Sequence, residues 1–367
     1  MKIGFQHMGN LHVALRAFVE TLGVEVAQGP PPTRRTLEIG ARHAPEMVCL
    51  PFKVTLGDMI ACLERGADTL AFLGSGDWSC RFGYYGRTQC LILQKLGYTF
   101  RPLFISYQSA RPAIAELIAL HRGSRGETLL RALQAFALAW RKSRLVELTE
   151  SSARALRPFE AERGIASRLE RDFVRRIEAE RSMRGLGRLR RRITDAFAGA
   201  PARREEDPLR VVIVGESYCV IEPLVNFDLI ELLGAEGVLA EPFLTAHRWL
   251  FYHTIRKDED PICRKKEAMR LARPFWAYNT GGEDQAALGY TIHAAGRGVD
   301  GAIHLLPFGC MPETAVWPVF DRVCQQLSLP LLHLSLDEQS GQAGIRTRVE
   351  AFLDLLRERR GRRRLAS

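Results

Sequence analysis

No run of about 18 apolar residues occurs in the chain, which excludes a membrane-spanning helix. The opening Met1-Lys2-Ile3-Gly4-Phe5 lacks the basic-then-apolar order of a secretory signal, so a cytoplasmic protein is expected. Gly-x-x-x-x-Gly-Lys-Ser/Thr is absent, as is any sugar-kinase-like ATPase segment, so the chain is not expected to hydrolyse ATP itself. There is no Cys-x-x-Cys pair. The cysteines stand far apart, at 49, 62, 80, 90, 219, 263, 310 and 324. In a cytoplasmic chain this argues against a disulfide framework, and any metal site must be assembled from distant segments. The basic runs at 181–192 and 357–364 contain no aromatic residue, and no zinc finger or RNP motif is present. The net charge of +10 therefore reads as solvated helix faces rather than a nucleic-acid surface. An acidic protein or the phosphates of coenzyme A would suit the same charge.

What is present is a soluble, core-forming composition. Of the 367 residues, 46% are apolar and 26% charged, enough for two domains and an insert. Strand and helix patterns alternate over 1–108. Strands are expected at 2–6, 24–26, 46–50, 69–73 and 100–106. Helices are expected at 10–22, 54–64 and 84–96, ended by Gly23, Gly66 and Gly97, with a loop at 74–83. Residues 109–206 read as a helical insert, with Leu129, Leu133, Phe136 and Trp140, then Ile165, Leu169, Phe173 and Ile177, at helical spacing. A polar stretch around 201–208 closes it. Alternation returns over 207–367, with strands at 210–214, 237–241, 302–306 and 331–336. Helices are expected at 223–233 (ended by Gly234), 258–271, 283–298 and 312–327. Thr347-x-x-Glu350 reads as a capping box opening a last helix. The pattern is α/β, with parallel sheets flanked by helices in two similar halves.

Three cysteines share one expected place. Cys49 ends the expected strand at 46–50, Cys80 follows the strand at 69–73 and Cys310 the strand at 302–306, and each stands just before a helix. Ligands in open α/β sheets bind beyond the carboxyl ends of strands. Helix N-termini offer N–H groups and partial positive charge, which favour the metal-ligating thiolate and supply donors to cluster sulfides. Cys219, after 210–214, matches that place as well. Cys62, Cys90 and Cys324 fall inside helices and read as buried core residues, and Cys263 reads the same way. The glycines, prolines and aromatics flanking Cys49, Cys80 and Cys310 suit close packing and a dry wall. A structural zinc site completed by His7 or His304 is an alternative, although such sites usually use close cysteine pairs.

The segments Cys49-Leu-Pro-Phe-Lys-Val-Thr-Leu-Gly57, Cys80-Arg-Phe-Gly-Tyr-Tyr-Gly86 and Pro307-Phe-Gly-Cys-Met-Pro-Glu313 carry a resemblance, as does 337–352 from Asp337-Glu338 to Thr347-Arg-Val-Glu-Ala-Phe352. With His7-Met8-Gly9-Asn10 they resemble the activase-related branch of the 2-hydroxyacyl-CoA dehydratase superfamily, often labelled CoA protein activase. The resemblance spans both α/β regions. It implies two Rossmann-like domains with helical additions, and the alternation itself divides the chain into an N-terminal α/β domain at 1–108, the insert at 109–206 and a C-terminal α/β domain at 207–367. It also implies a 4Fe–4S cluster between the domains, held by Cys49, Cys80 and Cys310, and low-potential electrons from a separate ATP-dependent activase with its own cluster. An iron without a protein thiolate would meet an acyl-CoA or other small molecule, allowing reductive or radical chemistry. Glu313 and Lys53, beside the ligand candidates, are the candidates for proton transfer or substrate orientation. Glu216 and Ser217 carry a weaker signal for ligand contact. Relatives with a double-cubane cluster reduce small molecules, and Cys219 or Cys90 would be the extra ligands here. A closed cluster with Cys219 as fourth ligand would instead make an electron relay. A related second subunit or a homodimer is a further implied partner.

Overall fold

The computed structural model describes residues 1–74, 80–106, 111–119, 124–203, 207–255 and 262–366. The chain forms two compact units. Met1–Glu150, Leu169–Ala198 and Ala246–Lys257 make the first, and Ser151–Arg168, Gly199–Thr245 and Asp258–Ser367 the second.

In chain order the α/β part of the first unit holds β1 (Lys2–Phe5), α1 (Leu11–Thr21), β2 (Glu25–Val26), α2 (Arg34–His43), α3 (Leu50–Glu64), β3 (Thr69–Leu73), α4 (Phe82–Lys95) and β4 (Arg101–Ile105). All its strand pairs are parallel, in the order β2-β1-β3-β4. The central strand β3 is Thr-Leu-Ala-Phe-Leu, buried at every position, as a parallel strand covered on both faces requires. Leu70 and Phe72 face a core with Phe52, Leu56 and Met59 of α3 and Tyr85 and Leu93 of α4. Ala71 faces the opposite core with Ile3, Phe5, Val19 and Leu103. Each large side chain so buried contributes about 1.5–3 kcal/mol. Gly23, Gly66 and Gly97 follow α1, α3 and α4 at positive φ and end them as expected.

The following segment is helical: α5 (Arg111–Ala119), α6 (Arg125–Leu156), a 3-10 turn at Arg157–Phe159, α7 (Ile165–Ala179) and α8 (Met183–Ala198), with no strand among its described residues. Phe173 and Ile177 of α7 are buried, whereas Leu129, Leu130 and Leu133 of α6 are exposed.

The remaining elements are β5 (Leu209–Gly215), α9 (Ser217–Ile221), α10 (Pro223–Asn226), α11 (Leu229–Ala235), β6 (Val238–Pro242), α12 (Ala246–Ile255), α13 (Lys265–Ala272), α14 (Asp284–Gly296), β7 (Gly301–Pro307), α15 (Met311–Gln326), β8 (Leu331–Leu336) and α16 (Gln342–Ala366). Apart from α12, which belongs to the first unit, they lie in the second. Its sheet is again all parallel, in the order β6-β5-β7-β8. The fold is therefore α/β with two Rossmann-like domains, each sheet reversing its strand order once.

Several expectations need correction. Residues 46–50 are not a strand: Pro45 opens turns, and Cys49 caps α3, which begins at Leu50 rather than Val54. The helix expected at 223–233 is two helices, because Phe227 and Asp228 adopt left-handed backbone; it runs past Gly234, and Gly237 at positive φ follows it. The last helix opens at Gln342, so Thr347 is interior, its hydroxyl donating to the Ala343 carbonyl instead of capping. Helices α2, α9 and α12 were not expected. The loop at 74–83 lies outside the described residues over 75–79, as does the polar stretch over 204–206 and the expected helix start at 258.

Candidate functional site

In open α/β sheets the ligand position lies beyond the carboxyl ends of the strands where their order reverses. In the first unit that point is between β1 and β3. There Gln6 bridges the two strand ends, accepting from the Leu73 N–H at 3.2 Å and donating to its carbonyl at 3.4 Å.

Nearby in sequence, α3 is a helix buried on almost all sides, and Cys49 is its N-cap with Pro51 in the first turn. The Cys49 sulfur is 2.8 Å from the Tyr85 hydroxyl on α4, and the Cys49 N–H donates to the same hydroxyl at 3.4 Å. Phe52 and Phe82 pack on the Tyr85 ring, with centroids at 4.8 and 5.2 Å. Burial first, then the charge of Cys49, pushes the Tyr85 hydroxyl upward, so it stays a phenol and a donor. Gln89 locks α4 to α3, donating to Thr55 Oγ1 at 2.8 Å and the Phe52 carbonyl at 3.1 Å. Cys80 is half-buried and opens the turn into α4, its carbonyl accepting from Gly83. Arg81 beside it donates to the Met47 carbonyl, which ties the approach to α4 to the approach to α3. Cys49 and Cys80 thus stand at the N-terminal ends of two helices packed together. Lys53 is buried one turn into α3 from Cys49.

In the second unit the reversal lies between β5 and β7. Cys310 follows β7, is buried, and is the N-cap of α15 with Pro312 in its first turn. Glu313, three residues on and so on the same helix face, is buried; its Oε2 lies 2.7 Å from His304 Nε2. Its Oε1 is also buried and has no hydrogen-bond partner among the described residues. Burial, with Asp284 and Glu283 nearby, pushes the Glu313 carboxyl well above the ordinary range and keeps it protonated. Glu216 caps α9 after β5, accepting from the Cys219 N–H at 2.9 Å, and burial raises its carboxyl to about 7.

Residues 6–243 match the family model described as a CoA enzyme activase uncharacterised domain. Residues 171–356 match that of the 2-hydroxyglutaryl-CoA dehydratase D-component. This chain belongs to the activase-related branch of the 2-hydroxyacyl-CoA dehydratase superfamily. Cys49 and Cys80 fall in the first match and Cys310 in the second. A search of the curated proteins finds no match.

The other cysteines of this superfamily member sit apart from those helix caps. Cys62, Cys90 and Cys324 are buried inside α3, α4 and α15, and burial pushes each thiol up to about 12. Cys263 is buried, its sulfur facing the Arg264 carbonyl. Cys219 is fully buried within α9. The zinc alternatives are occupied: His7 Nε2 contacts the Gly29 carbonyl, and His304 is held by Glu313. Among the described residues no group of three or more His, Cys, Asp or Glu is gathered closely enough to hold a metal ion. Tyr84 and Phe308 are exposed, so of the expected aromatic wall it is Phe52, Phe82 and Tyr85 that pack around Cys49. The contact of Tyr85 with Cys49 was not anticipated, although the Cys80-to-Gly86 motif contains it. No helix of the described residues is long and apolar enough to cross a membrane.

Cys49, Cys80 and Cys310 are thiols, the donor type that iron–sulfur clusters take. Cys49 and Cys310 share Cys-x-Pro at a helix N-terminus, and neither sulfur is consumed in capping its own helix N–H groups. Soft thiolates at such ends are the ligands these clusters take.

Proposed function

We propose that this chain is an iron–sulfur protein that receives low-potential electrons from a separate ATP-dependent activase and acts reductively on an acyl-CoA or another small molecule, as a lyase or oxidoreductase. The observation that supports this most is the repeated Cys-x-Pro helix cap at Cys49 and Cys310 in a chain of dehydratase descent. Cys49, Cys80 and Cys310 would hold a 4Fe–4S cluster. When bound, the group supplies a low-potential electron and a Lewis-acidic iron.

The chain's own residues do the rest. Tyr85 hydrogen-bonds the Cys49 sulfur and holds it in place. Phe52 and Phe82 keep water from that sulfur. Glu313, protonated and buried one turn from Cys310, holds a proton at the site and returns it to a departing oxygen. Lys53, one turn from Cys49, orients an anionic part of the substrate. A related subunit or a second copy would complete the assembly, and the protein would work in the cytoplasm.

A second reading, an electron relay, rests on Cys219, whose backbone N–H is held by Glu216 at the β5 end. The test is anaerobic purification with iron, acid-labile sulfide and zinc measured per chain. About four irons and four sulfides, lost in Cys49→Ala, Cys80→Ala and Cys310→Ala but kept in Cys62→Ala, support the proposal. Iron also lost in Cys219→Ala favours the relay. Roughly eight irons move the reading to a double-cubane reductase. Zinc alone, or no metal after reconstitution, overturns it.

A further inference from the structure

Glu313 is the inner end of a longer chain of contacts, all within the second unit. Its partner His304 is fully buried on β7 and stacks on Phe320 at 4.4 Å. His304 Nδ1 lies 2.8 Å from Nδ1 of His333 on β8. The two histidines are direct partners in the β7–β8 register, which places them on one face of the sheet. His333 stacks on Trp317 at 4.5 Å, and its Nε2 lies 2.9 Å from Asp321 Oδ1 on α15. The Asp321 side chain is 58% exposed.

The geometry points to a proton relay in which His333 and His304 carry protons between the solvent-facing carboxylate of Asp321 and the buried carboxyl of Glu313. Its purpose rests on the role of Glu313 given above; its existence does not. Three features separate it from a merely structural network. Each imidazole is contacted through both ring nitrogens, so each can take a proton on one side and release one on the other. One end of the chain is exposed. The opposite end carries a buried oxygen, Glu313 Oε1, with no hydrogen-bond partner among the described residues.

The transfer balances without any oxidant or reductant. A proton on Asp321 passes to His333 Nε2 while the Nδ1 proton of His333 moves to Nδ1 of His304. The Nε2 proton of His304 then moves to Glu313 Oε2. Each ring ends as the other tautomer, Asp321 ends as carboxylate and Glu313 as acid. The reverse sequence returns the proton. In the filled state every donor points outward: Glu313 to His304, His304 to His333, and His333 to Asp321. Burial holds both imidazoles neutral, His304 down to about 3 and His333 to about 4, so neither ring traps the passing proton.

The experiment uses the full-length protein and reads proton exchange rather than turnover. The protonated carboxyl of Glu313 is followed by infrared spectroscopy after transfer to heavy water, its band assigned by its loss in Glu313→Gln. Nitrogen-15 spectra give the tautomers, with His304 expected as Nδ1–H and His333 as Nε2–H. In Asp321→Asn the amide oxygen still accepts from His333, but the side chain cannot take up a proton. Deuteration of Glu313 is expected to slow at least about tenfold there, and likewise in His333→Asn. Equal rates in the wild type and both variants, or no carboxyl band lost in Glu313→Gln, overturn the relay. Slowed exchange in a protein without iron keeps the relay and removes the proposed function. Unchanged exchange in an iron-loaded protein removes the relay alone.

Discussion

The Tyr85 hydroxyl accepts from the Cys49 N–H at 3.4 Å and lies 2.8 Å from the Cys49 sulfur. One side chain on α4 therefore fixes both the backbone and the sulfur of the residue that caps α3. In Tyr85→Phe the ring packing stays and both contacts go. Iron is expected to remain, while the reduction potential falls by ~59 mV for each ~1.4 kcal/mol of hydrogen bonding that the reduced state loses. Redox titration of the anaerobic protein checks this. An unchanged potential would leave Tyr85 as packing alone.

Glu313→Gln tests the buried acid without metal. Glutamine can donate to His304 Nε2 in place of the acid proton. In the wild type the folded state holds that proton above the pH at which the unfolded chain releases it, so the stability it contributes is lost as pH rises above about 4.5. The variant is therefore expected to gain on the wild type between pH 5 and pH 8, by up to ~1.4 kcal/mol per pH unit until Glu313 ionises. Urea midpoints at the two pH values measure the difference. A constant difference would mean that Glu313 is ionised in the fold.

His7 titrates with the opposite sign. Burial and the nearby His12 lower its ring to about 4, so it stays neutral where the unfolded chain takes up a proton. Its contribution is complete above about pH 6.5 and is lost as pH falls toward 4. Between pH 6 and pH 5 the wild type is expected to lose ~1 kcal/mol more than His7→Asn. Parallel unfolding profiles would show a protonated His7.

Gly57 lies where α2 crosses α3. A Cβ there would stand 2.0 Å from the Thr36 carbonyl oxygen, a backbone atom. Gly57→Ala is expected to cost about 1–3 kcal/mol and to lower the melting temperature by about 5 °C. Gly126 in α6 has nothing within 4 Å of the same position. Gly126→Ala should hold or raise the melting temperature, by helix propensity alone. Equal effects at the two positions would contradict the close α2–α3 approach.

Much of the fold was legible because parallel strands are short apolar runs between helix-ending glycines. Strands β3 and β8 begin and end where their patterns do. The same rule misled at residues 46–50, where an apolar run lies just before a helix: Pro51 suits the first turn of α3, and Cys49 is a cap rather than a strand end. Helix α2 opens on a Thr33–Thr36 capping box, a pair that a search for glutamate or glutamine at the second position passes over. The cysteine caps at 49 and 310 could be read locally. The Tyr85 contact and the pairing of His304 with His333 could not, because they depend on helix docking and on strand alignment between residues far apart in sequence.

That strand alignment has a consequence for folding. His304 faces His333 only because β7 and β8 pair as Ile303 with Leu332 and Leu305 with Leu334 on either side. A slip of one residue would turn His333 to the opposite face of the sheet. A misregistered molecule would retain its backbone ladder and much of its compactness, yet its imidazoles would no longer meet. The histidine pair thus works as a vernier for the sheet, separating correctly threaded molecules from near-native ones by whether a proton can cross.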